Sequence, residues 1–318
     1  MKKVTLGKQG LVVPAVGLGC MGMSEFYGEH NQKENLEVLS RSIELGCTFW
    51  DTADIYGPFT NEELLAKALK NQRHNVTLAT KFGISRDEKG EWLGVNGHPD
   101  YVKASCEASL KRLNTDYIDV YYQHRMDPSV PIEDTVGAMA ELVKEGKVRY
   151  LGLSEADPEQ IRRAHKTHAI SVLQTEYSLW SREVEDNILA TTRELGIGFV
   201  AYSPMGRGFL SGAIKQRTDL QPGDWRLDNP RFQQDAIESN RSLINKINQI
   251  SANKGVSSAQ ISLAWLMAQG EDIAMIPGTK RLSYLEQNWQ SMDIQLTVAE
   301  LTMLNHLSNK HTVIGARY

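Results

Sequence analysis

Cysteine is scarce: three in 318 residues, Cys20, Cys47 and Cys106, with no two at metal or redox spacing. An odd, sparse set excludes a disulfide framework and reads as the thiols of a cytoplasmic protein. Long apolar runs are also missing, since nothing approaches the ~20 residues that a spanning helix needs. Neither charge sign dominates: the net charge is −4, which argues against nucleic acid or an anionic membrane as partner. No linker rich in Pro, Gly or Ser and no shift in composition divides the chain, so residues 1–318 read as one domain. At 41% hydrophobic and 23% charged residues, the chain has the composition of a soluble protein with a real core. Its first residues, "MKKVTLGKQGLVVPAVGLGC", imitate an export leader, with a basic start, an apolar stretch and Gly-Cys. Pro14, three glycines and a polar "GKQG" turn break that stretch, and a β-hairpin pairing Val4–Leu6 with Leu11–Val13 explains the same letters.

Present instead is a regular alternation. Short apolar, β-branched runs ("AVGLG", "TFWDTA", "NVTLATK", "YIDVYYQH", "VRYLGLS", "SVLQTEY", "IGFVAYS", "IAMIPG") alternate with amphipathic segments. Helices are expected over 32–45, from Asn61 through "NEELLAKALK", over 99–113, and in each later gap to a last one at "TVAELTMLNHLS". Eight apolar strands with intervening helices predict a parallel sheet covered on both faces, closed as a (β/α)8 TIM barrel with an N-terminal β-hairpin and extra C-terminal helices. The open-sheet alternative needs a glycine fingerprint with an acidic ribose partner. Gly17, Gly19 and Gly22 supply it only in shifted form.

A barrel of this kind carries its chemistry at the carboxyl ends of its strands. Those ends are polar here: Asp51, with Tyr56 close behind in "FWDTADIYG"; Lys81; His124; Ser154-Glu155; Gln174; Tyr202-Ser203; and the "IPGTKR" segment. Taken singly, each is an ordinary turn or solvated residue, but their common address marks a catalytic rim. A phenol with a pKa of about 10 is a poor acid at neutral pH. A neighbouring ammonium is expected to pull it down, with a carboxylate holding that ammonium charged. Tyr56 then donates a proton, Lys81 tunes it, Asp51 partners Lys81, and His124 orients a substrate oxygen. A phenol delivering a proton to a developing alkoxide suits carbonyl reduction. One His, one Asp and one Lys fall short of a zinc ligand set.

The segments "GLGCMGMSEFYG", "FWDTADIYG", "LATKFG", "YIDVYYQHRMDP", "VRYLGLSE", "LQTEYSLW", "VAYSPMGRGFLSG" and "IPGTKRLSYLEQN" resemble, in order, those of the aldo-keto reductases. That resemblance implies NADP(H) bound without a Rossmann motif and a catalytic tetrad at Asp51, Tyr56, Lys81 and His124. It places Ser154 and Gln174 on the nicotinamide carboxamide, with Glu155 where relatives commonly carry Asn, and Tyr202 stacked on the ring. Cys20 and Met21 match the strand-one loop near the nicotinamide. The loop from Ser203, Pro204 and Met205 through Gly206, Arg207 and Gly208 to Leu210 and Gly212 resembles the one folded over the pyrophosphate, where glycines permit close backbone approach. In "PGTKR", Gly278, Thr279 and Tyr284 depart from the common 2′-phosphate set, so that Lys280 and Arg281 are left to supply the charge. Gln287 and Asn288 match adenine contacts. Relatives that reduce carbon–carbon double bonds replace the His with Glu, so His124 favours carbonyls.

Phe26, Tyr27, Trp92, Arg125 and Met126, with Trp225, are the candidates for lining a substrate mouth, all on expected loops. The segment ending "HTVIGARY" is expected to be too short to shape the pocket. The implied function is NADPH-dependent reduction of aldehydes or ketones, with a small carbonyl molecule as the partner. An NADPH-binding regulatory subunit with little turnover and, more distantly, a Schiff-base aldolase using Lys81 stay open as alternatives.

Overall fold

Lys3–Leu6 (β1) and Leu11–Pro14 (β2) alternate buried and exposed residues and pair antiparallel, with Val4 opposite Val13 and Leu6 opposite Leu11. The computed structural model describes residues 2–87, 90–307 and 313–317. The apolar face of the hairpin packs across the N-terminal end of the barrel. Gly198 is needed there, because a Cβ on it would lie 2.5 Å from the Leu6 Cα.

The chain continues through Leu18–Gly19 (β3), Gln32–Leu45 (α1), Phe49–Asp51 (β4), Thr60–Leu69 (α2) and Thr77–Phe82 (β5). A small antiparallel hairpin, Ile84–Arg86 (β6) and Trp92–Val95 (β7), follows where sequence reading expects only a polar loop. Next come Pro99–Leu113 (α3), Ile118–Gln123 (β8), Ile132–Lys144 (α4), Val148–Ser154 (β9), Pro158–Thr167 (α5) and Val172–Glu176 (β10). Ile188–Leu195 (α6) leads to Gly198–Tyr202 (β11). A long loop, Gln234–Ser239 (α7), Arg241–Lys254 (α8), Ser258–Met267 (α9), Ile273–Met275 (β12), Leu282–Gln290 (α10) and Val298–Leu307 (α11) complete the described elements. Ser308, at the end of the expected last helix, and Tyr318 lie outside the described residues.

Eight strands form one parallel sheet in the order β3-β4-β5-β8-β9-β10-β11-β12. The circle closes where Gly17 N–H donates to the Met275 carbonyl at 2.8 Å and Met275 N–H to the Ala15 carbonyl at 2.9 Å. This is the expected (β/α)8 barrel. Its strands are apolar on both faces because helices cover one side and packed side chains fill the other. Tyr122 shows how tightly the interior fills: a Cβ on Gly152 would meet its ring at 2.4 Å.

Helix starts and stops obey local chemistry. Asp157 caps α5 and Ser257 caps α9, each in a reciprocal box with the glutamine three residues on. The expected stop at Gly196 is a left-handed C-cap, φ 68°. Asn61, expected as the start of α2, has another task. The helix begins one residue earlier, and the buried Asn61 amide donates to the Cys20 carbonyl (2.9 Å) and Ser24 Oγ (2.8 Å) while accepting from Thr52 Oγ1 (2.6 Å). It thereby ties the end of β3 to the end of β4, immediately below the polar rim.

Candidate active site

Four strand ends converge. Lys81 at β5 is fully buried, and its ammonium is bonded to Asp51 Oδ1 at the end of β4 and donates to the Thr52 carbonyl at 2.8 Å. Tyr56 Oη lies 3.4 Å from Lys81 Nζ. The His124 ring, just past β8, stands edge-on to Tyr56 at 5.8 Å between centroids. On the other side of Asp51, Gln174 Nε2 from β10 donates to Oδ2 at 2.7 Å. Asp51, Tyr56, Lys81 and His124 therefore share one mouth of the barrel, as their strand-end positions predict.

Their charges follow from burial and pairing. Burial alone would discharge Lys81, but Asp51 and the Tyr56 oxygen more than offset it and hold the pKa above the ordinary lysine value. Burial raises Asp51 above the usual carboxylate value, with Lys81 and Gln174 pulling the other way. Burial likewise raises Tyr56. Lys81 pulls the phenol down, as expected, but burial outweighs that pull and Asp51 adds to the rise, so the net shift is upward rather than below the free value. Tyr56 stays protonated at neutral pH, as a donor must, and Lys81 stands ready for the phenolate left after donation.

His124 is driven well below its ordinary pKa by burial, with Lys81 and Arg125 adding to the effect. The ring is neutral, and its Nδ1 is buried with no hydrogen-bond partner among the described residues. The folded pKa lies below the unfolded value of about 6.5, so the unfolded chain takes up a proton that the folded one refuses. This contribution to stability is complete above pH 6.5 and is lost as pH falls toward the folded pKa. In urea titrations from pH 7.5 to 5, the parent should lose about 1.4 kcal/mol per pH unit more than His124→Gln below that value. Parallel pH profiles for the two proteins would show that His124 titrates normally.

The remaining sequence candidates are placed unevenly. Ser154 is buried, and its Oγ lies 3.4 Å from Arg125 Nη1, which also donates to the His124 carbonyl at 2.7 Å. Arg125 thus braces two strand ends. Glu155 adopts a left-handed backbone, φ 59°, a conformation costing about 1–2 kcal/mol outside glycine. Its Oε1 accepts from Glu176 N–H at 3.1 Å and its Oε2 pairs with Arg317. Tyr202 is partly exposed at the end of β11. Met21 packs against Ala53, Ile55 and Tyr56, whereas the Cys20 thiol is fully buried and turned back toward the Leu18 carbonyl at 3.6 Å.

In the loop after β11, Ser203, Gly206, Arg207, Gly208 and Gly212 all have positive φ, and the Met205 carbonyl accepts from Gly208 and Leu210 N–H. Gly206 N–H donates to the Ser203 carbonyl at 2.9 Å and Gly208 N–H to that of Met205 at 3.0 Å, so the turn at 206–208 is held by its own hydrogen bonds. Pro204 and Leu210 are buried beneath it. Arg226 lays its guanidinium 4.9 Å over the Tyr27 ring and donates to the Arg207 carbonyl at 2.7 Å. Phe26 meets Trp225 edge-on at 6.4 Å. The two loops therefore close over the rim together.

Lys280 is engaged by backbone carbonyls, donating to Tyr27 at 2.8 Å and also to Glu29. Arg281 remains exposed beside Tyr284 Oη at 3.4 Å, and Thr279 Oγ1 accepts from Arg281 N–H. Gly278 borders the β3–β12 seam at Gly19; Asn288 is buried and Gln287 half-buried on α10. Of the mouth candidates, Met126 is half-buried against the core and Trp92 is 59% exposed on the β6–β7 hairpin. Its strand partner Arg86 pairs with Glu25 at 3.1 Å and lies over Phe26.

Sequence reading missed Asn61, the Glu25–Arg86 pair and Arg226. It also misjudged the C-terminal segment, whose Arg317 reaches Glu155 at the rim. Only Asp224-x-Arg226, a pair two residues apart, left a local trace. Among the described residues, no group of three His, Cys, Asp or Glu side chains is placed to hold a metal ion, and no helix is long and apolar enough to cross a membrane.

Residues 15–309 match the model of the aldo/keto reductase family. Among solved structures, a thermostable aldo-keto reductase in complex with the inhibitor epalrestat is 31% identical, with TM-score 0.77, over 97% of this chain and 100% of that one. An aldo/keto reductase from Klebsiella pneumoniae, solved with NADP and acetate, is 28% identical, with TM-score 0.72, over 96% and 95%. A glycerol dehydrogenase from Gluconobacter oxydans has TM-score 0.88 over 99% and 97%; at 22% identity the likeness is one of fold.

Proposed function

The chain belongs to the aldo/keto reductase family of nicotinamide-dependent oxidoreductases, and from that premise we propose that it reduces aldehyde or ketone carbonyls with NADPH. The reading takes residues 1–318 as one barrel domain. The observation that carries it is the buried chain Asp51–Lys81–Tyr56 beside a neutral His124.

The residues at the rim fit the dinucleotide. The Ser154 hydroxyl ends β9 and the partly exposed Tyr202 ring ends β11, with the Gln174 amide two residues inside the end of β10 between them, a donor set for a carboxamide carried on an aromatic ring. The glycines at 206 and 208 let the backbone of this loop approach a pyrophosphate closely. Arg281, steadied by Tyr284, is the freer cation for the 2′-phosphate, since Lys280 is already engaged by carbonyls. The NADP complex of the Klebsiella relative supports this choice of cofactor.

Bound there, the nicotinamide supplies a hydride to the carbonyl carbon. Tyr56 holds the proton that the carbonyl oxygen needs as charge develops on it, and transfers it from Oη. Lys81 then stabilises the phenolate, an effect strong in a site from which water is excluded. Asp51 keeps Lys81 charged and fixed. The neutral His124 offers a ring N–H that orients the substrate oxygen, and Tyr56 sits in a small apolar cluster with Ala53, Ile55 and Ile84.

The test is oxidation of NADPH across a panel of aldehydes, diketones and ketones, with NADH alongside. Turnover with NADPH exceeding that with NADH is expected. Tight NADPH binding without oxidation of any panel member would overturn the reading and favour a regulatory subunit.

A further inference from the structure

The stretch 313–317 is built into the rim. Asn240 accepts from Ile314 N–H at 3.0 Å and donates to its carbonyl at 2.9 Å, and Arg231 Nε donates to the Gly315 carbonyl at 3.2 Å. The Arg317 carbonyl accepts from Arg207 Nη1 and Asn229 Nδ2, each at 3.1 Å. Backbone held at three residues by four side chains delivers one side chain to a fixed place.

That side chain is the Arg317 guanidinium, about one-fifth exposed, which pairs with Glu155 Oε2 and lies 3.4 Å from Glu176 Oε2. Glu155 directly follows β9 and Glu176 ends β10. Glu176 is almost fully buried and also meets Arg207 Nη2 at 2.8 Å. One guanidinium therefore spans the ends of two neighbouring strands, and those strands present Ser154 and Gln174.

We propose that Arg317 is a positioning residue that clamps the nicotinamide-binding edge of the barrel by holding Glu155 in its left-handed conformation against Glu176. The inference rests on the cofactor reading above and adds that the C-terminal stretch is part of the site. It also gives a physical role to a glutamate where the resemblance implies Asn: a carboxylate can grip a guanidinium, whereas an amide oxygen would hold it with far less charge.

The experiment uses the full chain with Arg317→Ala, Arg317→Lys, Glu155→Gln and the Ala/Gln double variant. NADPH affinity is followed by quenching of tryptophan fluorescence, and melting is measured without cofactor. The isotope effect on turnover is read with NADPH deuterated at the transferred position. Arg317→Ala should weaken NADPH binding roughly tenfold and enlarge the isotope effect while the protein, though melting somewhat earlier, stays fully folded at the assay temperature. Lys should restore part of the loss, because it keeps the charge but not the fork. The double variant should bind no more weakly than the worse single one, as expected for two residues acting through one contact. Parent-like binding and isotope effect in Arg317→Ala would overturn the clamp while leaving the cofactor assignment standing. Parental protein that NADPH does not quench would overturn the cofactor assignment and the clamp with it.

Discussion

Replacing Tyr56 with Phe should lower kcat by about 10²- to 10⁴-fold, the range attributed to a positioned general acid, while NADPH affinity stays within about twofold. Phenylalanine keeps the ring and its edge contact with His124, so the packing of the mouth is preserved. What disappears is the oxygen 3.4 Å from Lys81 Nζ. Single-turnover rates measured beside fluorescence titrations separate the two effects. Normal turnover by the Phe variant would remove Tyr56 as the acid and, with it, the proposed proton route.

Lys81→Met should damage both fold and chemistry. Lys81 is fully buried, and its loss leaves the Asp51 carboxylate, 3% exposed, with Gln174 as its remaining side-chain partner. Breaking one side of a buried ion pair costs about 3–5 kcal/mol, whereas replacing both sides with neutral groups is often tolerated. Urea unfolding should therefore show a large loss in Lys81→Met and substantial recovery in the Asp51→Asn, Lys81→Met double variant. Activity should fall by at least about 10² in both, since neither can support a phenolate. Recovery of turnover together with stability would mean that the pair is structural only.

Much of this rim was legible in advance because barrel strands are short, apolar and regularly interrupted, so the first polar residue after each run marks its end. Asp51, Lys81, His124 and Ser154 were located by that rule, whereas the strand expected to end at Gln174 runs on to Glu176 because Thr175 and Glu176 are themselves buried in it. Tyr56 stands beside Lys81 and is pulled down by it as expected, but burial outweighs that pull, because proximity to a lysine can be guessed from loop spacing and desolvation cannot. The β6–β7 hairpin was hidden because its strands are three and four residues long and partly polar. Asn61 carried a helix-start signature that its buried cross-link overrode. Lys280 illustrates a different limit: a cation in a phosphate-like motif was captured by carbonyls more than 250 residues away in sequence. Arg317 belongs with it, since nothing local connects residue 317 to residue 155.

The hairpin of β1 and β2 has a consequence for traffic. With Leu6 seated on Gly198 and the Lys2 ammonium reaching the Met267 carbonyl at 3.4 Å, the bottom of the barrel is stoppered. Whatever enters must leave by the same doorway, past the paired loops that carry Tyr27 and Arg226.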